Sequence, residues 1–332
     1  MNRIKHKLLL LPFTFLIASQ AFAQDPEFTQ FFASPLYTNP AFAGTSAGGR
    51  IVANYRMQWP SLPGTFVTLA TAYDQHFDAV GGGIGLIVTN DRAGSGILKT
   101  TTFSGIYSYE LRVNRKLTFK AGIQASFFQK SIDFEKLTFS DMIEPRSGFR
   151  FPTSEPLPRN VKSFANFSTG LLGYTKNFYA GFAVHNLTQP NQSFYNSAAL
   201  GNELPRRYTF HSGMIIPLGG NKNRPLSEQN TICPNILFMV QKEFNQVNLG
   251  FYINKGPLVS GLWFRQTSEN GDALMVLIGF RQKSFRFAYS YDLTVSDART
   301  AAAGSHELST SIEWKPRQRP KGPKKINCPD FY

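Results

Sequence analysis

The side chains best able to do chemistry in this chain are five histidines, two cysteines and scattered carboxylates. Their spacing builds no reaction centre. His6, His76, His185, His211 and His306 form no HxxxH or HExxH pair, the helical spacing by which two imidazoles reach one zinc ion. Cys233 and Cys328 are far apart and lack metal-site spacing. No Walker loop occurs. The run Gly81-Gly82-Gly83-Ile84-Gly85 would cradle a phosphate only if a helix followed. The alternation of Ile84, Leu86 and Val88 predicts a strand instead, where glycines mark a bend or a close backbone approach. Asp292, Glu307 and Glu313 fall on polar strand faces, as do Arg286 and Lys120. An enzyme site or a gated pore would use such groups, but paired charges lining a lumen need no further purpose. The chain is therefore expected not to be an enzyme, with no catalytic residue, no cofactor-binding residue and no metal ligand.

The elements that carry these groups are strands. In 285–292 one face reads Phe285, Phe287, Tyr289, Tyr291 and the other Arg286, Ala288, Ser290, Asp292. In 307–314 Leu308, Thr310, Ile312 and Trp314 alternate with Glu307, Ser309, Ser311 and Glu313. A period of two gives a sheet with one apolar and one polar side. The same pattern predicts strands at 50–58, 64–74, 78–90, 98–111, 116–128, 165–175, 177–187, 207–217, 235–242, 246–254, 257–266, 272–281, 284–293 and 306–315. The expected fold is all-β, a transmembrane antiparallel β-barrel of about 14 strands. The even-numbered connections are short, as periplasmic turns are, and most odd-numbered ones are longer. The pair 218–234 and 243–245 breaks that rule.

Residues 1–23 carry Arg3, Lys5 and Lys7, an apolar run from Leu8 to Ala18, and Ala21-Phe22-Ala23, which together read as a cleaved signal peptide. Beyond residue 23 no apolar run is long enough for a membrane-spanning helix. The composition is 14% aromatic with only 17% charged residues, which fits lipid-facing aromatics alternating with lumen-facing polar residues. Of the net charge of +14, three charges lie in the signal peptide and much of the remainder in the tail, where residues 315–332 hold six Lys or Arg against one Asp, so nucleic acid is not expected as a partner. The expected organisation is a signal peptide at 1–23, an extended amino-terminal segment at 24–49, a barrel at 50–315 and a basic periplasmic tail at 316–332, in contact with outer-membrane lipid.

The segment 24–49 has no usable period but many aromatics. Two roles stay open for it: a plug in the barrel mouth, or a periplasmic docking segment whose candidate partner-binding residues are Asp25, Pro26, Phe28, Gln30, Phe31, Pro35, Asn39 and Pro40. Cys233 and Cys328 are a candidate disulfide, since an exported chain meets an oxidising compartment and both are expected on the periplasmic side.

The block from Asp25-Pro26-Glu27-Phe28 through Ser34-Pro35-Leu36-Tyr37-Thr38-Asn39-Pro40 to Gly44 resembles the PorP/SprF family of the Bacteroidetes type IX secretion system. The resemblance continues in Tyr55-Arg56-Met57-Gln58-Trp59-Pro60, Gly85 to Gly94, Leu204-Pro205-Arg206-Arg207-Tyr208-Thr209, Tyr289 to Ser296 and Gly304-Ser305-His306-Glu307-Leu308-Ser309. It implies an outer-membrane barrel with type IX secretion machinery components as partners, supporting secretion or surface attachment of a large adhesin client, as in gliding motility. The residues themselves leave a second function open, that of an outer-membrane channel or hydrophobic-solute transporter.

Overall fold

A computed structural model describes residues 25–46, 48–144, 146, 148–149, 151–195, 202–219, 229–268, 271–295, 304–314 and 328. The expected signal peptide and all of the expected basic tail except Cys328 lie outside the described residues. Fourteen antiparallel strands close into a barrel. In chain order they are β1 (Gly49–Gln58), β2 (Phe66–Phe77), β3 (Gly82–Ala93), β4 (Leu98–Arg112), β5 (Thr118–Ile132), β6 (Val161–Tyr174) and β7 (Phe178–His185). They continue with β8 (Arg207–Met214), β9 (Thr231–Gln241), β10 (Phe244–Lys255), β11 (Leu258–Thr267), β12 (Gly271–Gln282), β13 (Phe285–Thr294) and β14 (Ser305–Trp314). Each strand pairs with its chain neighbours. Pairing of β1 with β14, from Gly49↔Trp314 to Gln58↔Ser305, closes the cylinder. No edge is left unpaired in hydrocarbon.

The turns at 78–81, 113–117, 175–177, 256–257 and 283–284 fall on one rim, which in bacterial barrels is the periplasmic one. Long connections at 133–160 and 186–206 fall on the other. The first is tied by Asp141, whose carboxylate accepts from the Ser154 backbone N–H at 2.6 Å and from the Thr153 and Ser154 hydroxyls. Those hydrogen bonds, the backbone one foremost, hold the Asp141 carboxyl below its ordinary range. The irregular pair of connections is real. β9 and β10 are joined on the outer rim by Lys242 and Glu243 alone, and Lys242 adopts φ 56° there. The long periplasmic connection between β8 and β9 is shortened by pairing of Ile216 with Ile232 and Pro217 with Thr231. β9 thus begins four residues ahead of the predicted start at 235.

The two faces divide as the alternation predicts. Phe285 and Phe287 on β13 are exposed on the outer surface, as are Leu308 and Ile312 on β14, whereas Ser290, Asp292, Glu307 and Ser309 are buried inside. One expectation changes with this burial. A water-filled lumen would tolerate Ser290→Arg, but Ser290 is fully covered and accepts a hydrogen bond from Gln30 of the amino-terminal segment. Phe287→Arg is expected to cost about 2–4 kcal/mol near the midplane and to lower the yield of folding into lipid vesicles. Ser290→Arg should instead insert normally and displace the segment above it. Equal folding yields with an undisturbed amino terminus in both variants would refute these facings.

Candidate functional site

The interior is filled by residues 25–46, and this filled lumen is the candidate site. Local sequence dictates its path. Pro35 starts a single helical turn, Pro35–Thr38, and Pro40 starts the 3-10 turn Pro40–Phe42, each occupying a first-turn position where the missing N–H is not needed. Between them Asn39 is extended, and its side-chain oxygen accepts from the Ala41 N–H at 2.8 Å, capping the second turn. These turns fold the chain into a short compact stretch that fits within a barrel of this width.

The segment crosses the lumen from rim to rim. Asp25 lies at the outer end, where its carboxylate accepts from Asn186 at 2.9 Å and pairs with Arg207 at 3.4 Å. Glu27 accepts from Gln246 and Asn248 of β10, and its carboxylate is 4.0 Å from Arg265 of β11. Below it a collar of buried charges closes on Thr29 and Gln30. The backbone N–H groups of Thr29 and Gln30 donate to the two oxygens of Glu307 at 2.7 and 3.0 Å. The Thr29 hydroxyl donates to Asp292 at 2.7 Å and accepts from Arg56. Arg56 also pairs with Asp292 at 3.0 Å and Glu307 at 3.3 Å, while Arg265 reaches Asp292 at 3.4 Å. Two arginines therefore face two carboxylates on β13 and β14, all four buried, and such pairing is the condition under which buried charge is tolerable.

Towards the periplasmic rim the contacts become aromatic. Phe31 meets Trp263 edge-on with centroids 5.1 Å apart, and Phe32 meets Tyr252 at 5.6 Å. Phe42 stacks on His211 at 5.1 Å. Asn39 donates to the backbone carbonyls of Leu171 and Phe182 and lies 3.0 Å from His211 Nε2, which accepts from the Asn39 amide. At the lower rim the Ala43 carbonyl accepts from Ser108 at 2.7 Å and Lys120 at 2.6 Å, and the Gly44 N–H donates to Asp74 at 2.8 Å. The wall is cut away to admit the backbone. A Cβ on Gly83 would stand 2.1 Å from the Ala43 oxygen, and one on Gly122 would stand 2.4 Å from the Ala41 nitrogen. The glycine run in β3 thus serves close approach, as its strand context predicts.

Every candidate partner-binding residue lies in this lumen. Asp25, Gln30, Phe31 and Asn39 make the contacts above. The Pro26 carbonyl accepts from the Tyr37 hydroxyl, Phe28 is buried edge-on to Tyr37, and Pro35 and Pro40 set the turns. Sequence reasoning missed the wall residues Arg56, Asp74, Arg207 and Arg265. For Asp74, Arg207 and Arg265 the signal was present as a lone charge at a lumen-facing position of a strand without other Lys, Arg, Asp or Glu, whereas Arg56 shares its face of β1 with Arg50. Asp292 and Glu307 are brought together, whereas Glu313 pairs with Arg286 at 3.1 Å, away from the segment. Between the segment and the wall a cavity of about 70 Å³ remains, lined by Thr89, Thr102, Gln124, Asn166, Ile87 and Phe128 among others. Cys233 is buried on the lumen face of β9, and Cys328 is half-buried against the aromatic cluster to which Cys233 belongs; both are thiols in this structure.

The family model of the type IX secretion system membrane protein PorP/SprF matches residues 20–312. The chain belongs to the PorP/SprF family. Several of the blocks on which the resemblance rested contribute residues that meet in the lumen: Asp25 to Gly44, Arg56, Arg207, Asp292 and Glu307. No curated protein matches this PorP/SprF chain. Among solved structures it is similar to the toluene transporter TodX of Pseudomonas putida, with 10% identity, a TM-score of 0.47, and 84% of this chain and 94% of that chain covered. It is also similar to a Pseudomonas aeruginosa FadL homologue, at 14% identity and TM-score 0.44, covering 84% and 94%. The outer membrane protein Omp33 of Acinetobacter baumannii matches at 8% identity and TM-score 0.45, covering 81% and 99%. Family and closed barrel together make this an outer-membrane β-barrel of type IX secretion.

Proposed function

We propose that this PorP/SprF chain supports secretion or surface attachment of a large adhesin-type client, working with the type IX machinery as a barrel closed by its own amino-terminal segment. The observation that carries this reading is the filled lumen. A passage for hydrophobic solutes would want an apolar route through the barrel, whereas the outer half of this lumen is a collar of ion pairs and hydroxyls occupied by chain. A deletion strain tests it. Loss of the surface adhesin with unchanged uptake of small solutes supports the secretion role. A normal adhesin layer with impaired uptake would favour the channel or hydrophobic-solute transporter.

The candidate disulfide belongs to the same proposal. Oxidation of Cys233 and Cys328 would pin the basic tail beneath the plug, presenting its charges to a periplasmic partner. The two thiols would give up two electrons and two protons to a disulfide-bearing periplasmic oxidoreductase, which leaves as a dithiol. Half-buried Cys328 would meet the oxidant first, and buried Cys233 would resolve the mixed disulfide. The closed loop of roughly 95 residues would stabilise by about 4–5 kcal/mol in the chain-entropy model, an upper figure. Thiol labelling of denatured, unreduced protein from the outer membrane should find no reactive cysteine. Two labelled cysteines per chain would refute the bond.

A further inference from the structure

We infer that the barrel interior is a peptide-binding site, recognising a turn-containing chain through its backbone as well as its side chains, with residues 25–45 as the resident ligand. The inference rests on which atoms the wall addresses. Glu307 spends both carboxylate oxygens on two consecutive backbone N–H groups, those of Thr29 and Gln30. Asp74 accepts the Gly44 N–H, while Lys120 and Ser108 both donate to the Ala43 carbonyl. The His185 ring meets the Thr38 carbonyl at 3.2 Å. These wall groups are all buried and come from strands remote in sequence. Gly83 and Gly122 leave room for the same backbone. A plug needed only to fill space could be held by side-chain packing. Groups placed to satisfy main-chain donors and acceptors instead read a peptide as a peptide, as an added β-strand or a captured terminus is read in other recognition modes.

Side chains supply the selectivity. The outer collar accepts an acidic residue at Glu27 against Arg265, Gln246 and Asn248. The aromatic floor of Tyr179, Tyr252 and Trp263 accepts Phe31 and Phe32. The ligand class is therefore a segment able to fold into short turns, with a carboxylate followed, about four residues on, by adjacent aromatics. Resting on the proposed secretion role, such a segment of a partner protein takes the same place when the resident one leaves. The resident segment holds it in the closed state through its high effective concentration.

The test is exchange in trans. A protease site is inserted after Ser46 in the full-length chain, and the chain is cut after folding, or before refolding where the folded form resists. A synthetic fluorescent peptide of residues 25–45 is then added, and binding is read by anisotropy. Saturable uptake of one peptide per barrel is expected, with unlabelled peptide displacing it. A peptide N-methylated at the Thr29 and Gln30 amides should compete at least tenfold more weakly, because it keeps every side chain and loses the two donors to Glu307. Glu307→Gln in the barrel should shrink that difference. A cut barrel that stays folded by heat-modifiability yet neither retains nor rebinds the peptide would overturn the inference, as would equal competition by the methylated peptide. Failure here would leave the secretion phenotype of the deletion strain untouched, so the two readings fall separately.

Discussion

Deleting residues 25–45 is expected to turn a silent barrel into a conducting one. The fourteen-strand ladder is continuous without the segment, because every strand pairs with two neighbours and no described segment residue contributes to the ladder. Eight strands leave an interior just filled by side chains, and sixteen to eighteen leave an aqueous channel, so fourteen emptied strands enclose a water-filled passage. The collar does not prevent this. With the segment gone, Arg56, Arg265, Asp292 and Glu307 are rehydrated rather than stranded, since the space above them fills with water. The purified variant should remain heat-modifiable, and in planar bilayers should carry ion currents absent from the intact protein. Equal conductance of the two would mean that the segment does not seal the lumen.

The barrel was legible in the sequence, while the amino-terminal segment stayed open between plug and docking segment, for one physical reason. A strand between lipid and lumen must alternate, and Phe285, Phe287 against Ser290, Asp292 display that period openly. The segment 25–46 faces wall on all sides, so it has no solvent face to alternate against, and Phe28, Gln30, Phe31, Leu36 and Asn39 are buried regardless of polarity. Its aromatics argued that it was more than a spacer, but nothing in its order told lumen from periplasm. The partners were still harder to read. Glu307 and Arg56 look like ordinary lumen-facing charges until β1 and β14 are set side by side by the Arg56↔Glu307 register.

Pro234 explains the misplaced start of β9. A proline inside a central strand removes a ladder donor and argues against the assignment. Here it falls where pairing with β8 is interrupted, between Gly213↔Asn235 and Ile216↔Ile232, while pairing with β10 runs on through Pro234↔Phe251. The strand continues beneath it to Thr231, and this carries Cys233 onto the buried lumen wall.

Arg56→Met is expected to release the segment while leaving the barrel closed. Arg56 touches both carboxylates of the collar and the Thr29 hydroxyl between them. Removing it leaves Asp292 and Glu307 facing each other with Arg265 bound to only one of them. Breaking a buried charge network by deleting one partner costs about 3–5 kcal/mol, because the remaining charge is desolvated without compensation. The barrel can relieve that cost in one way that leaves its strands intact, by admitting water where Thr29 and Gln30 now sit. The penalty should therefore fall on docking, and limited proteolysis should cut the amino terminus of the variant while the strands stay protected. Pairing the change with Glu307→Gln tests the cause. The double variant no longer buries an uncompensated carboxylate pair, and the Gln oxygen can still accept one of the two backbone N–H groups, so a coupling of about 0.5–3 kcal/mol in the restoring direction is expected. Strictly additive losses in the double variant would mean that Arg56 acts through packing rather than through charge.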